Sequence, residues 1–184
     1  MNRNDALEIL SEYTKTESLR NHAYTVEAAM RAYAQKYSED EELWGAVGLL
    51  HDFDYEMYPD DHPSKGNQIL AEKGVLEEIR SAIMGHASFT GVPRDSLMAK
   101  VLFSVDELCG FIIAVTLVRP TRSISEVAVK SVKKKMKDKR FAAKVNREEI
   151  RQGAEELEMD FDEHVEFVIK SLIPIAPQLG LIHN

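Results

Sequence analysis

The sequence predicts an all-α protein, on three observations. Apolar residues recur at three- and four-residue spacing from end to end, no sustained period-two alternation marks a strand, and capping patterns fall at intervals of a helix length. A first helix is expected over about Asp5 to Lys15 and a second over about Leu19 to Tyr37, where Leu19, Ala23, Val26, Met30 and Tyr33 form one apolar stripe. Ser38 with Glu41 has the form of a capping box ahead of a third helix, Leu43 to Leu50, which delivers His51 and Asp52 at its C-terminal end. The stretch from Phe53 to His62, with Pro59 and four acids, reads as a loop, and Pro63 suits the first position of the next helix. Gly74 separates the helix ending near Lys73 from one whose inward positions are Val75, Ile79, Ile83 and His86. After the turn Gly91 to Pro93, a long helix carries Leu102, Asp106, Cys109 and Ile113 on one stripe and stops at Pro120. Ser123 with Glu126 marks the start of a basic helix, Asn146 with Glu149 resembles a further cap, and a last helix covers about Phe161 to Ile173 before Pro174.

A chain of 184 residues can bury a sizeable core but is short for two domains, so one domain over 1–184 is expected. The most apolar segment, Leu97 to Val118, is interrupted by Lys100, Asp106 and Glu107 and is better placed in a core than in a bilayer. The start, Met1 to Asp5, is polar and has no apolar stretch of export-signal type behind it. With a single cysteine, Cys109, expected to serve packing, this points to a cytoplasmic protein and no membrane partner. The net charge is -8, yet Arg119 to Arg140 holds nine Lys or Arg against only Glu126 and Asp138. An acidic body with one basic segment argues against general nucleic-acid binding and leaves room for a local anion-binding surface, with a solvated lysine face as the plainer alternative. A homo-oligomer remains open.

Five residues carry the chemistry: His22, the adjacent pair His51 and Asp52, His86 and Asp106. His22 shares its helical face with Val26 and Ala29, and the same periodicity turns His86 and Asp106 inward. Buried ionisable side chains are costly unless something neutralises them, and a shared divalent cation is the simplest partner for several in one small protein. Taken singly, each has a plainer role: an inward histidine is commonly hydrogen-bonded to a carbonyl, and a core aspartate to an arginine or a cap. Together they form a nitrogen and oxygen donor set suited to Mn, Fe, Zn, Co, Ni or Mg, binding as one ion or two. His164, among Glu163 and Glu166, and His183, in the tail, read as surface histidines.

The order His22, then Leu49-Leu50-His51-Asp52, then Asp106 resembles the H, HD, D pattern of the HD-domain metal-dependent phosphohydrolases, and the whole chain is similar to small bacterial HDIG-type hydrolases. The resemblance implies a helical bundle with the metal site at its centre, a metal-site core of about 19–110 and a C-terminal helical extension of about 119–184. It implies hydrolysis of a phosphate ester or anhydride, with a nucleotide or related phosphorylated small molecule as substrate. His62 and His86 fall where the dinuclear subgroup places two further histidines, so the implied metal ligands are His22, His51, Asp52, His62, His86 and Asp106, with Asp52 and His51 as the catalytic pair. Asp52 is the natural bridging ligand, because a carboxylate has two oxygens whereas each imidazole offers one lone pair. Arg119, Lys130 and Lys133 are the expected phosphate contacts. Phe53 and Asp54 stand where Ile-Gly completes the HDIG signature. Two other activities use the same scaffold: a non-catalytic nucleotide- or metal-binding regulatory module, and a diiron oxygenase.

Overall fold

The computed structural model describes residues 1–182, and His183, expected in a surface tail, lies outside them. Among the described residues the regular structure is nine α-helices with short 3₁₀ turns and no strand. The chain divides into two compact units, Met1–Phe103 and Ser104–Asn184.

The first unit comprises α1 (Arg3–Tyr13), α2 (Glu17–Tyr37), α3 (Glu41–Leu50), α4 (Ser64–Glu72), α5 (Glu77–His86) and the opening turns of α6 (Leu97–Leu117). A reciprocal capping box starts α1: Asn2 accepts the Asp5 N–H and Asp5 accepts the Asn2 N–H. Ser38 does not start α3. It ends α2 in the left-handed conformation at φ 59°, and Asp40 caps α3 by accepting the Leu43 N–H at 3.0 Å. Of the predicted stripe of α2, Ala23, Val26, Met30 and Tyr33 are buried and Leu19 half-buried; α3, which packs against α2, buries Ala46, Val47, Leu49 and Leu50.

Two glycines set how closely α2 and α3 approach. A Cβ on Gly48 would lie 2.9 Å from the Glu27 backbone, and one on Gly45 would lie 2.6 Å from the Arg31 guanidinium. Glu27, buried at that crossing, accepts from Arg3 at 2.6 and 3.0 Å and from Arg31 at 3.0 Å, which ties α1 to α2. Because the obstacle at Gly48 is backbone, Gly48→Ala should push the helices apart and cost about 1–3 kcal/mol, as overpacking does. Denaturant unfolding checks this, and an unchanged midpoint would show that the crossing has slack.

In the second unit, the rest of α6 is joined by α7 (Val129–Met136), α8 (Arg147–Glu156) and α9 (Phe161–Leu172). The basic helix starts at Val129 and not at Ser123. Ser123 and Ser125 pair their hydroxyls at 2.9 Å, and the Glu126 carboxylate accepts from Thr121 at 2.9 Å, so neither side chain caps α7. Asn146 does cap α8, accepting the Glu148 and Glu149 N–H groups. His164 corrects the sequence reading: it is fully buried, and its Nε2 lies 3.0 Å from the Ser104 carbonyl. Its flanking glutamates suggested an exposed edge, but on a helix the neighbours that matter are three and four residues away, and Val168 is buried. Cys109 is buried, and burial with the negative charge of Asp106 pushes its thiol well above the usual range, consistent with packing.

Candidate metal centre

Three histidines of the first unit turn one ring nitrogen toward Asp52 and give the other to an acceptor. His51, at the C-terminal cap of α3, has Nδ1 2.8 Å from the Gly48 carbonyl and Nε2 3.5 Å from Asp52 Oδ2. His86, the last residue of α5, has Nδ1 hydrogen-bonded to the Ile83 carbonyl and Nε2 3.3 Å from Asp52 Oδ1. Both use the carbonyl three residues back, which a helix end leaves available. His62, just before α4, has no such carbonyl; its Nδ1 lies 2.7 Å from Asp54 Oδ1 and its Nε2 3.2 Å from Asp52 Oδ1. A carbonyl or carboxylate oxygen only accepts, so Nδ1 carries a hydrogen in each ring; Nε2 then either donates to Asp52 from a charged ring or, in a neutral ring, is left with a lone pair for a cation.

The fourth ring comes from α2. His22 Nε2 lies 3.2 Å from His51 Nε2. With the His51 hydrogen committed to Gly48, such a contact needs a hydrogen from His22 or a shared cation. Among the described residues, two groups have ligand atoms within 4.8 Å of one another: His22, His51 and Asp52, and then Asp52, His62 and His86. Asp52 belongs to both, with Oδ2 toward His51 and Oδ1 toward His62 and His86. His51 is fully buried and the His62 and His86 side chains nearly so, but Asp52 keeps 26% exposure, so the centre opens to solvent through its carboxylate.

The electrostatics favour a cation here. Burial alone would raise the Asp52 carboxyl, but the His51 ring and hydrogen bonds from His62 and His86 hold it well below its usual range. Burial disfavours charge on His62, yet hydrogen bonds to Asp52 and Asp54, with their negative charge, lift that imidazole to about 9. The donor set therefore fits a divalent ion, which would take the place of the proton. In metal-stripped protein the raised value has a definite sign: the native state holds the proton more tightly, so the contribution of His62 is complete below about pH 6.5 and is lost as pH rises through about 9. The stability difference between wild type and His62→Gln should shrink over that window, and a difference flat from pH 6 to 10 would refute it.

The first half of the loop from Asp52 to His62 is anchored to the segment after α1. Phe53 and Asp54 are buried, against the expectation of a polar loop throughout. Thr14 donates to the Phe53 carbonyl at 2.8 Å, and the Glu56 carboxylate accepts from the Lys15 and Thr16 N–H groups at 2.8 and 3.0 Å. Sequence reasoning missed Asp54 and Glu56 as parts of this site. The one available signal was an acid two residues beyond Asp52.

The remaining predicted residues belong to the second unit. Asp106 is half-buried on α6, and the neighbouring Glu107 accepts the Asn146 N–H at 3.3 Å. Arg119 pairs with Glu126 at 3.5 Å, Lys133 with Asp162 at 2.8 Å, and Lys130 is exposed. Among the described residues, no helix is long and apolar enough to cross a membrane.

In comparison with known proteins, residues 19–109 match the family model described as HD domain. No curated protein and no solved structure matches the chain.

Proposed function

Since the chain belongs to the HD-domain family through residues 19–109, whose members are mostly metal-dependent phosphohydrolases that bind divalent ions, we propose that it hydrolyses a phosphate ester or anhydride of a nucleotide or related small molecule. The observation that carries this reading is the pair of ligand groups sharing Asp52. His22, His51 and Asp52 would hold one ion, and Asp52, His62 and His86 a second. Asp106 is a further ligand by the family pattern rather than by any distance. Bound there, a divalent metal supplies a Lewis acid for phosphoryl oxygens and brings water toward a neutral pKa.

The chain's own residues do the rest. Asp52 bridges the two groups through its two oxygens, and His51, fixed by Gly48, keeps its Nε2 directed at that carboxylate. These two are the proposed catalytic residues. Arg119, Lys130 and Lys133 are the proposed phosphate contacts, on their charge.

The test is phosphate release from nucleotides, dinucleoside polyphosphates and sugar phosphates by protein reconstituted with Mn or Fe, with oxygen consumption recorded alongside. Phosphate release without oxygen uptake is the expected result. Oxygen uptake without phosphate release would assign the same ligands to redox chemistry, and tight nucleotide binding with neither would make the protein a regulatory module.

A further inference from the structure

Asp54 is a carboxylate of the core, 1% exposed, and both of its oxygens are used. Oδ1 lies 2.7 Å from His62 Nδ1, and Oδ2 accepts the Gly66 N–H at 2.6 Å. The space is built around it: a Cβ on Gly66 would fall 2.7 Å from the Asp54 carboxyl carbon, so no larger residue fits there while the carboxylate stays. His51 and His86 are oriented by helix carbonyls that any sequence provides, whereas His62 precedes its helix and depends on a side chain.

We infer that Asp54 is a positioning residue that makes His62 a metal ligand, by holding the ring hydrogen on Nδ1 and so presenting Nε2 to the ion shared with Asp52 and His86. The inference rests on reading the cluster as a metal centre and deepens it. It assigns the second ion's affinity to a residue that touches neither the ion nor the substrate. The carboxylate–histidine–metal arrangement is a general device for fixing tautomer and ring direction, and losing such a partner typically weakens metal binding about 10- to 100-fold.

Asp54→Asn isolates the effect, because it keeps the shape and changes one acceptor into a donor. The Gly66 N–H can only donate, so the amide oxygen must face it, which leaves the NH₂ group facing His62 Nδ1. The imidazole must then accept at Nδ1 and carry its hydrogen on Nε2, which removes the lone pair an ion needs.

The experiment is Mn(II) titration of metal-stripped protein by calorimetry, with bound metal counted on the same samples, for wild type, Asp54→Asn and His62→Gln. Wild type should take two ions. Asp54→Asn should keep the first, held by His22, His51 and Asp52, with unchanged affinity, and bind the second about 10- to 100-fold more weakly, as His62→Gln does or nearly so. Retention of the first ion shows that the variant is folded. Two ions bound by Asp54→Asn with wild-type affinity, or loss of both, would overturn the inference while leaving the metal centre itself in place. Wild type taking fewer than two ions would overturn it as well, and wild type taking none would remove the proposed function with it.

Discussion

Asp52→Ala is expected to lose both ions and to lower phosphate release by at least about 10³-fold, beyond the 10- to 100-fold that follows loss of an outer partner. The reason is geometric. Each of the four histidines belongs to one ligand group, but Asp52 belongs to both, so its removal leaves His22 with His51 and His62 with His86, and no anionic ligand for either ion within the first unit. Single histidine variants should be milder and selective: His86→Ala should impair the second group and spare the first. Metal counting on each variant checks the pattern. Equal metal loss from every variant would show that the cluster stands or falls as a whole and that Asp52 has no bridging role.

Stripping the metal from wild type should abolish turnover and lower thermal stability, and both should return on adding the ion back. An ion present at about a thousand times its dissociation constant stabilises the native state by about 4 kcal/mol. For a chain of this size that corresponds to a melting shift on the order of 10 °C. The shift should be absent in Asp52→Ala, which separates site-specific stabilisation from general salt effects. A melting temperature indifferent to chelation in wild type would mean that the cluster does not hold an ion in the folded protein.

Much of the fold was legible because it is encoded at short range. The stripe Ala23, Val26, Met30 and Tyr33 needs only the 3.6-residue period to be assigned inward, and Asn146 announces α8 by its place before Glu148 and Glu149. The errors came where two local signals competed. Ser38 and Asp40 both suit a cap, and the choice fell to the need to terminate α2; Ser123 has the spacing of a cap, but Thr121 and Arg119 engage its partner Glu126. His164 failed for the opposite reason, since immediate sequence neighbours say little about a helical face.

The candidate site divides in the same way. His22, His51, Asp52 and His86 were legible from spacing, and the family resemblance added His62; the structure brings these five together. Asp54 was not legible, because its role depends on a contact with Gly66, twelve residues on, and on the absence of a Cβ there. Nor was Glu56, whose partners Lys15 and Thr16 lie about forty residues away in the chain. Contacts of that span carry no periodic signal, so an acidic stretch such as Asp54 to Asp61 looks uniformly solvated until the fold shows which of its acids are in use.

The most direct test of the central claim is phosphate release measured against the number of Mn ions per chain, for wild type and Asp52→Ala side by side, on the substrate that responds best in the panel. A rate that rises with metal loading in wild type and stays at background in the variant is the predicted result. A fully metallated wild type that releases no phosphate from any member of the panel, or a variant that matches wild type, would contradict it.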